Sequence, residues 1–298
     1  MHIFVTGGTG FIGSPVVEKL IASGHRVSGL CRSDESERIL EAAGAETLRG
    51  GMDDLDALKR GAVAADGVIH LAFNNDFDRY DASVAEDLAA VKALGSALVG
   101  SGKPLVITSG TLMVASLGRV ATEQDEGAID TPRVAAERAA IELAHRGVRS
   151  SVVRLAPCVH DEQRQGIASV LCQIALEKRI SAYIGDGLNC WPAVCRDDAA
   201  ELFCRAVESA PAGTRLHAVG EEAIPLKTVA EAIGRSLNVP VASVSGEEAK
   251  AHFGWFAGVL SADNPTSGGF TQKTMGWHPS TRSLVSDIEA FLADKAVS

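Results

Sequence analysis

Eight residues near the start of the chain, Thr6-Gly7-Gly8-Thr9-Gly10-Phe11-Ile12-Gly13, combine types and a spacing suited to holding an anion. Glycines turn the chain tightly and let backbone amides approach a ligand. A helix beginning just after them aims its N-terminal amides, and the positive end of its dipole, at the same ligand. The run follows the β-type residues His2 to Thr6 and precedes a segment with helical spacing, Ser14 to Ser23. Strand, glycine loop and helix in that order are what a pyrophosphate-binding loop needs, whereas a purely structural glycine turn has no such requirement. Gly13 would let the helix lie close on the sheet.

A second chemical signal stands at the tip of the next strand, where an NAD-binding chain often offers an acid to the ribose hydroxyls. Here the residues are Leu30-Cys31-Arg32-Ser33. Arg32 would pair with a 2′-phosphate and Ser33 would add a hydroxyl hydrogen bond, which favours NADP, with NADPH as the reduced form. Asp34 follows closely enough to leave NAD open, and a solvated surface cation is the plain alternative for Arg32.

These signals need elements to position them, and the first half of the chain repeats one rhythm of short apolar run, break and helical segment. Strands are expected at His2 to Thr6, Arg26 to Leu30, Gly67 to Leu71, Pro104 to Thr108 and Ser150 to Leu155. Ser14 to Ser23, Asp81 to Gly100 and Arg133 to Arg146 place apolar residues three and four apart, as helices covering a sheet do. The pattern predicts a doubly wound parallel α/β sheet of Rossmann type. After Leu155 the rhythm loosens, with further helices expected at Leu226 to Leu237 and Leu284 to Ala296. We divide the chain into a dinucleotide-binding part, 1–156, and a smaller C-terminal part, 157–298, that completes the sheet and covers the substrate.

Composition removes several functional classes. A net charge of −10 argues against general binding to nucleic acid or anionic membrane. No apolar stretch approaches the roughly 18 residues of a membrane span, and Met1 to Thr6 lead straight into the glycines without the pattern of a signal peptide, so a cytoplasmic protein is expected. The six cysteines are scattered with no Cys-x-x-Cys pair, so reduced thiols are expected and no metal site is assigned. Cys190 and Cys195 flank Trp191-Pro192, but that spacing does not suit a zinc ligand set.

The glycine loop, Val68-Ile69-His70-Leu71-Ala72, Ile107-Thr108-Ser109-Gly110-Thr111, Val194-Cys195-Arg196-Asp197-Asp198-Ala199-Ala200 and Met275-Gly276-Trp277-His278-Pro279 together resemble extended short-chain dehydrogenase/reductases, of an atypical kind, over nearly the whole chain. The resemblance implies a Rossmann fold with the C-terminal part closing over the nicotinamide. It also implies dinucleotide contacts from Met52, Leu71, Ala72, Thr108, Ser109 and Arg133 beside the loop and strand-tip residues, and a homodimer through the two helices next to the fourth and fifth strands. Substrate class does not transfer with it, because the family holds reductases, epimerases, dehydratases and hydroxysteroid dehydrogenases.

The chemistry of that family rests on a Ser or Thr after the fifth strand and a Tyr-x-x-x-Lys on the next helix. With Ala136-Glu137 as the anchor, the tyrosine position falls on Ile129 and the lysine position on Arg133. Neither Tyr80 nor Tyr183 begins a Tyr-x-x-x-Lys. Arg133 would bond the nicotinamide ribose and supply charge, though its high pKa makes it a poor proton shuttle. The serine position falls on Gly110, and Thr111 beside it would stabilise a developing oxyanion, a strand-end threonine bonded to local backbone being the alternative. His160, just past the sixth strand and expected to face the substrate cleft, and Tyr183 are candidate proton donors. His70 is expected to pack beside the cofactor, and Asp197-Asp198 to act as a helix cap and first-turn charge.

Two functions follow. The first is an oxidoreductase moving hydride between NADPH and a small-molecule carbonyl, alcohol or imine substrate. The second is a dinucleotide-binding sensor that lost catalysis. An epimerase or dehydratase is disfavoured by the absent tyrosine. Trp191, His252-Phe253-Gly254-Trp255-Phe256 and Phe270 would wall a substrate pocket or form core.

Overall fold

Chain alternation between short apolar runs and amphipathic segments resolves into α/β order in the computed structural model, which describes residues 1–74, 79–128, 131 and 133–297. The N-terminal elements are β1 (His2–Thr6), α1 (Gly13–Ala22), β2 (Arg26–Cys31), α2 (Asp34–Ala42), β3 (Glu46–Arg49), α3 (Leu55–Ala64), β4 (Gly67–His70), α4 (Tyr80–Leu98), β5 (Pro104–Gly110), α5 (Val134–Leu143) and β6 (Arg149–Leu155). There follow β7 (Cys158–His160), α6 (Ala168–Lys178), β8 (Ser181–Ile184), β9 (Cys190–Cys195), α7 (Arg196–Ser209), β10 (Thr214–Ala218), β11 (Glu221–Pro225), α8 (Leu226–Leu237), β12 (Val241–Val244), α9 (Gly246–Phe253), α10 (Phe256–Leu260), α11 (Gly269–Met275) and α12 (Leu284–Val297).

Seven strands form one sheet in the order β3-β2-β1-β4-β5-β6-β10, with every pairing parallel. Chain order reverses between β1 and β4, which opens the crevice where ligands of such sheets bind. Strand alternation sends Ile3, Val5, Ile69, Val106 and Val153 to the face covered by α1 and α7, and Phe4, Val68, Leu105 and Ile107 to the face covered by α3, α4 and α5. Parallel strands covered on both faces are apolar throughout, which is why β1, β4 and β5 are readable from sequence. The edge is not: α2 buries only Leu40, and β3 has no fully buried residue. A weak apolar pattern there explains why sequence reasoning assigned no α2 or β3; α3 buries Ala57, Leu58, Gly61 and Ala62, mostly small residues that carry little apolar signal.

Several boundaries move by a few residues, α4 for example ending at Leu98 and not Gly100. The helix expected from Arg133 to Arg146 is α-helical over Val134–Leu143 and tightens into a 3₁₀ turn over Ala144–Arg146, stopped by Gly147 at φ 75°. Strand β5 runs on to Gly110, past the expected end at Thr108.

The C-terminal half gives β10 to the main sheet and builds a second layer around β11-β9-β7 and β12-β8. Trp191, Phe253 and Phe256 are buried in the core of that layer with Leu226, Ile233 and Ile288. The aromatic residues expected to wall a pocket therefore divide: these three are core, while Trp255 and Phe270 face solvent. Among the described residues no helix is long and apolar enough to cross a membrane.

A buried charge network ties the halves together. Arg154 on β6, fully buried, binds the Glu137 carboxylate of α5 through Nε and Nη2, and its Nη1 donates to the Asp125 carbonyl at 2.8 Å. Arg215 on β10 adds a second cation to Glu137 at 2.8 Å. Nearby, buried Glu123 accepts from both the backbone N–H and hydroxyl of Thr271. Burial alone would push the Glu137 carboxyl up, but Arg154 and Arg215 hold it below the usual carboxylate range. A carboxylate lowered on folding stabilises the protein above its unfolded pKa of about 4.3, and that contribution is lost as pH falls through its folded value. Glu137→Gln leaves Arg154 buried without its counterion, so urea unfolding at neutral pH should show a loss of about 3–5 kcal/mol. The variant should also lose less stability on acidification below about pH 4 than the parent does.

Candidate functional site

The glycine loop takes the shape its composition requires. Gly7 has φ +72°, and a Cβ there would stand 2.7 Å from the Ala72 backbone nitrogen; at Gly13 a Cβ would stand 2.0 Å from the Gly7 carbonyl oxygen. The loop is thus pressed against the segment after β4, and α1 starts directly behind it, with the Gly10 N–H closing a turn onto Gly7 O at 3.0 Å. No side chain caps the start of α1, where its first amides lie. Phe11 in the loop lies under two guanidiniums, Arg196 at 4.6 Å and Arg164 at 5.3 Å from its ring centroid, and Arg196 Nε donates to the Phe11 carbonyl at 2.5 Å. This cradle fits a dinucleotide pyrophosphate.

At the tip of β2, Arg32 is exposed, and among the described residues no hydrogen bond or ion pair engages it. Asp34, the residue that kept NAD open, is engaged by Arg49, which also reaches Glu37 at 3.5 Å. Ser33 is the N-cap of α2, its Oγ accepting from the Ser36 N–H at 3.2 Å and lying 2.6 Å from Ser36 Oγ. The hydroxyl expected to bond a phosphate is therefore already committed to the helix. Met52 and Leu71 are partly buried, Met52 against the core on the α3 side and Leu71 against the core on the α1 side.

Beneath the loop runs a buried polar chain. The Ala72 N–H donates to Thr6 Oγ1 at 3.3 Å, and Thr6 Oγ1 lies 2.7 Å from His70 Nδ1. His70 Nε2 lies 3.3 Å from Asp87 Oδ1 on α4. Thr6 Oγ1 links the Ala72 N–H to one nitrogen of the His70 ring while the other nitrogen faces Asp87. His70 thus packs beside the loop and holds β1, β4 and α4 in fixed relation.

The ends of β4 and β5 carry the remaining polar groups. Thr108 Oγ1 donates to the His70 carbonyl at 2.9 Å, and Arg133, at the N-cap of α5, donates through Nη2 to the Thr108 carbonyl at 3.4 Å. The Arg133 guanidinium stands 4.0 Å from the Phe73 ring centroid. Two buried polar atoms here have no hydrogen-bond partner, Ser109 Oγ and Arg133 Nε. Such atoms cost roughly 1–3 kcal/mol each when unmet; Ser150 Oγ, Ser151 Oγ, His160 Nε2 and His252 Nε2 share that state elsewhere, and these two stand out by their place at the end of β5 and the start of α5.

Other expected site residues lie elsewhere. Thr111 opens a 3₁₀ turn, is fully buried and accepts from Asn264 Nδ2 at 2.9 Å, so it anchors the loop after α10 instead of facing a carbonyl oxygen. His160, expected to face the cleft, is fully buried against α12, with Nδ1 2.7 Å from Asp287 Oδ2; the cause is that β7 pairs with β9 in the second sheet and turns the imidazole toward the C-terminal helix. Tyr183 lies on β8, paired with β12, with the Lys227 ammonium 5.7 Å from its ring. No contact joins His160 or Tyr183 to Arg133 or Ser109 among the described residues. Asp197 and Asp198 both provide the expected first-turn charge of α7, but the cap is Cys195, and the Asp198 carboxylate holds Ser280. Ile129 lies outside the described residues.

Sequence reasoning missed Phe73, Asp87 and Asn264. Asp87 carried a signal, a lone acid on the α4 stripe of Val84, Asp87 and Val91 that is otherwise apolar. Phe73 and Asn264 sit in irregular segments and carried none.

The family model described as the NAD dependent epimerase/dehydratase family matches residues 3–219. The uncharacterized protein C2A9.02 of Schizosaccharomyces pombe is 46% identical over 97% of this chain and 98% of its own. The 2-alkyl-3-oxoalkanoate reductase of Stenotrophomonas maltophilia is 28% identical over 80% of this chain and 77% of its own. Among solved structures, the dTDP-glucose 4,6-dehydratase DesIV of Streptomyces venezuelae, with NAD bound, superposes at a TM-score of 0.74 with 20% identity, over all of this chain and 98% of that one. That superposition shows the fold.

Since neither position has room for a methyl group, Gly7→Ala and Gly13→Ala should each weaken dinucleotide binding at least tenfold while leaving helical content near that of the parent. Fluorescence titration with reduced dinucleotide, read beside circular dichroism, checks both halves of that expectation.

Proposed function

The chain belongs to the NAD dependent epimerase/dehydratase family, and from that premise we propose that it is an NADPH-preferring oxidoreductase moving hydride between the nicotinamide and a small-molecule carbonyl, alcohol or imine substrate. The observation that carries this reading is the pair of buried, unpartnered polar atoms at the end of β5, Ser109 Oγ and Arg133 Nε. They stand where the resemblance places the nicotinamide ribose. The bound dinucleotide supplies the hydride; the protein supplies position and charge. Arg133 orients the ribose and holds positive charge where a carbonyl oxygen gains electrons, and it needs no proton transfer of its own to do so. The glycine loop and the start of α1 hold the pyrophosphate, with Thr9, Gly10, Phe11 and Ile12 offering backbone amides.

The NADPH preference rests on Arg32, free at the β2 tip, and on the engagement of Asp34 by Arg49. An acid already bonded to a guanidinium is a poor partner for ribose hydroxyls, while a free guanidinium matches a phosphate. A cytoplasmic setting fits six cysteines that are all free, of which Cys158, Cys172 and Cys204 are pushed up to about 12 by burial and so held as inert thiols.

NADPH oxidation measured against a panel of bulky ketones, aldehydes and cyclic imines tests the reading, with NADPH and NADH affinities taken in parallel. Turnover with tighter NADPH binding is the expected result. Arg32→Gln should weaken NADPH about tenfold or more, near 1.4 kcal/mol, and leave NADH unchanged; equal loss for both would remove the assigned role of Arg32. Tight NADPH binding without turnover on any member of the panel would turn the reading to a dinucleotide sensor.

A further inference from the structure

The chain has two tyrosines. One of them, Tyr80, opens α4 and is partly buried, its ring meeting Phe73 edge-on with centroids 6.4 Å apart. Arg133 stands against that same Phe73 ring and reaches back to the Thr108 carbonyl at the end of β5. Phenol, ring and guanidinium therefore gather at the C-terminal ends of β4 and β5, one residue beyond Ala72, which backs Gly7 of the dinucleotide loop. This is the end of the crevice that also holds the unpartnered Ser109 Oγ and Arg133 Nε.

We propose that Tyr80 is the catalytic general acid of this site, donating its phenolic proton to the substrate oxygen, with Arg133 as the neighbouring cation that stabilises the phenolate left behind. The inference rests on the carbonyl-reductase reading above. In the step, the carbonyl carbon accepts a hydride from NADPH and forms a C–H bond while the π pair of C=O moves to oxygen. That oxygen takes the phenolic proton and becomes a hydroxyl; NADPH leaves as NADP⁺, and water returns a proton to Tyr80. The charged groups that act on the phenol are Arg133 from the start of α5 and Asp81 and Asp87 from α4 itself. Burial pushes the phenol up and Arg133 draws it back, so it is protonated at neutral pH, the form an acid must have. A phenol beside a fixed cation thus supplies what neither Arg133 nor the enclosed His160 can.

The test has two readouts. The first does not need turnover. In Tyr183→Phe protein, Tyr80 is the sole tyrosine, and its ionisation is followed by phenolate absorbance immediately after a jump in pH, before unfolding. Adding Arg133→Gln should raise the midpoint, because the cation that favours the phenolate is then gone. An unmoved midpoint would overturn the pairing. The second readout is kinetic, on whichever panel compound the parent reduces. Tyr80→Phe should lower kcat by about 10²–10⁴ with NADPH affinity unchanged, and should abolish the fall in kcat that the parent shows as pH rises through the phenol's pKa. Retained turnover in Tyr80→Phe, or loss in Tyr183→Phe instead, would overturn the assignment of Tyr80 alone. A parent that binds NADPH and reduces nothing in the panel would remove the reductase reading and the acid with it.

Discussion

Helix α1 reaches the end of β1 only because Gly13 leaves its space to the Gly7 carbonyl, and Gly7 in turn leaves its space to the backbone of Ala72. This three-way contact of loop, helix and the segment after β4 is the steric constraint on which the rest is built. It fixes where the first amides of α1 point, and it brings the ends of β1 and β4 together at the place where strand order reverses. The Thr6–His70–Asp87 chain secures the same junction from below with directed hydrogen bonds, so that the loop rests on a floor with little freedom to shift. Packing sets the approach distance and hydrogen bonding sets the angle.

Polar groups in the interior divide into two kinds. Arg154, Glu137 and Arg215 satisfy one another, and Glu123 is satisfied by Thr271; removing any member leaves a charge or donor stranded, so these groups specify how the chain halves meet. The bond between His160 Nδ1 and Asp287 joins α12 to the second sheet, while His160 Nε2 stays without a hydrogen-bond partner. Ser109 and Arg133 leave hydrogen-bonding capacity unused while buried, as Ser150, Ser151, His160 and His252 also do, but they do so at the strand ends beside the crevice. Unused capacity in that place is open to a ligand.

The sequence made the inner sheet and its loop legible because both obey strong local rules. Parallel strands covered on two faces must be apolar, and a pyrophosphate loop must be glycine-rich at fixed spacing. The outer elements α2 and β3 escaped because an edge buries little and leaves a weak pattern, and α3 because three of the four residues it buries are Ala or Gly. The catalytic assignments were the least legible. Thr111 and His160 have suitable chemistry, but which way a side chain faces after β5 or β6 depends on partners far along the chain, Asn264 for the one and Asp287 for the other. Phe73 and Arg133, in contrast, meet through packing between a loop and a helix start, a contact that no periodicity announces.

The bond from Arg196 to the carbonyl of Phe11 spans 185 positions of the chain. During synthesis, this loop leaves the ribosome long before Arg196 does and is therefore among the later parts of the molecule to be completed. It must wait for α7 to emerge and pack behind α1, and β10 must still close the sheet beside β6. A nascent chain paused before residue 196 carries every glycine of its ligand site and lacks the guanidinium that fastens it, so the capacity to hold a dinucleotide arrives late, when the two halves of the protein are already committed to each other.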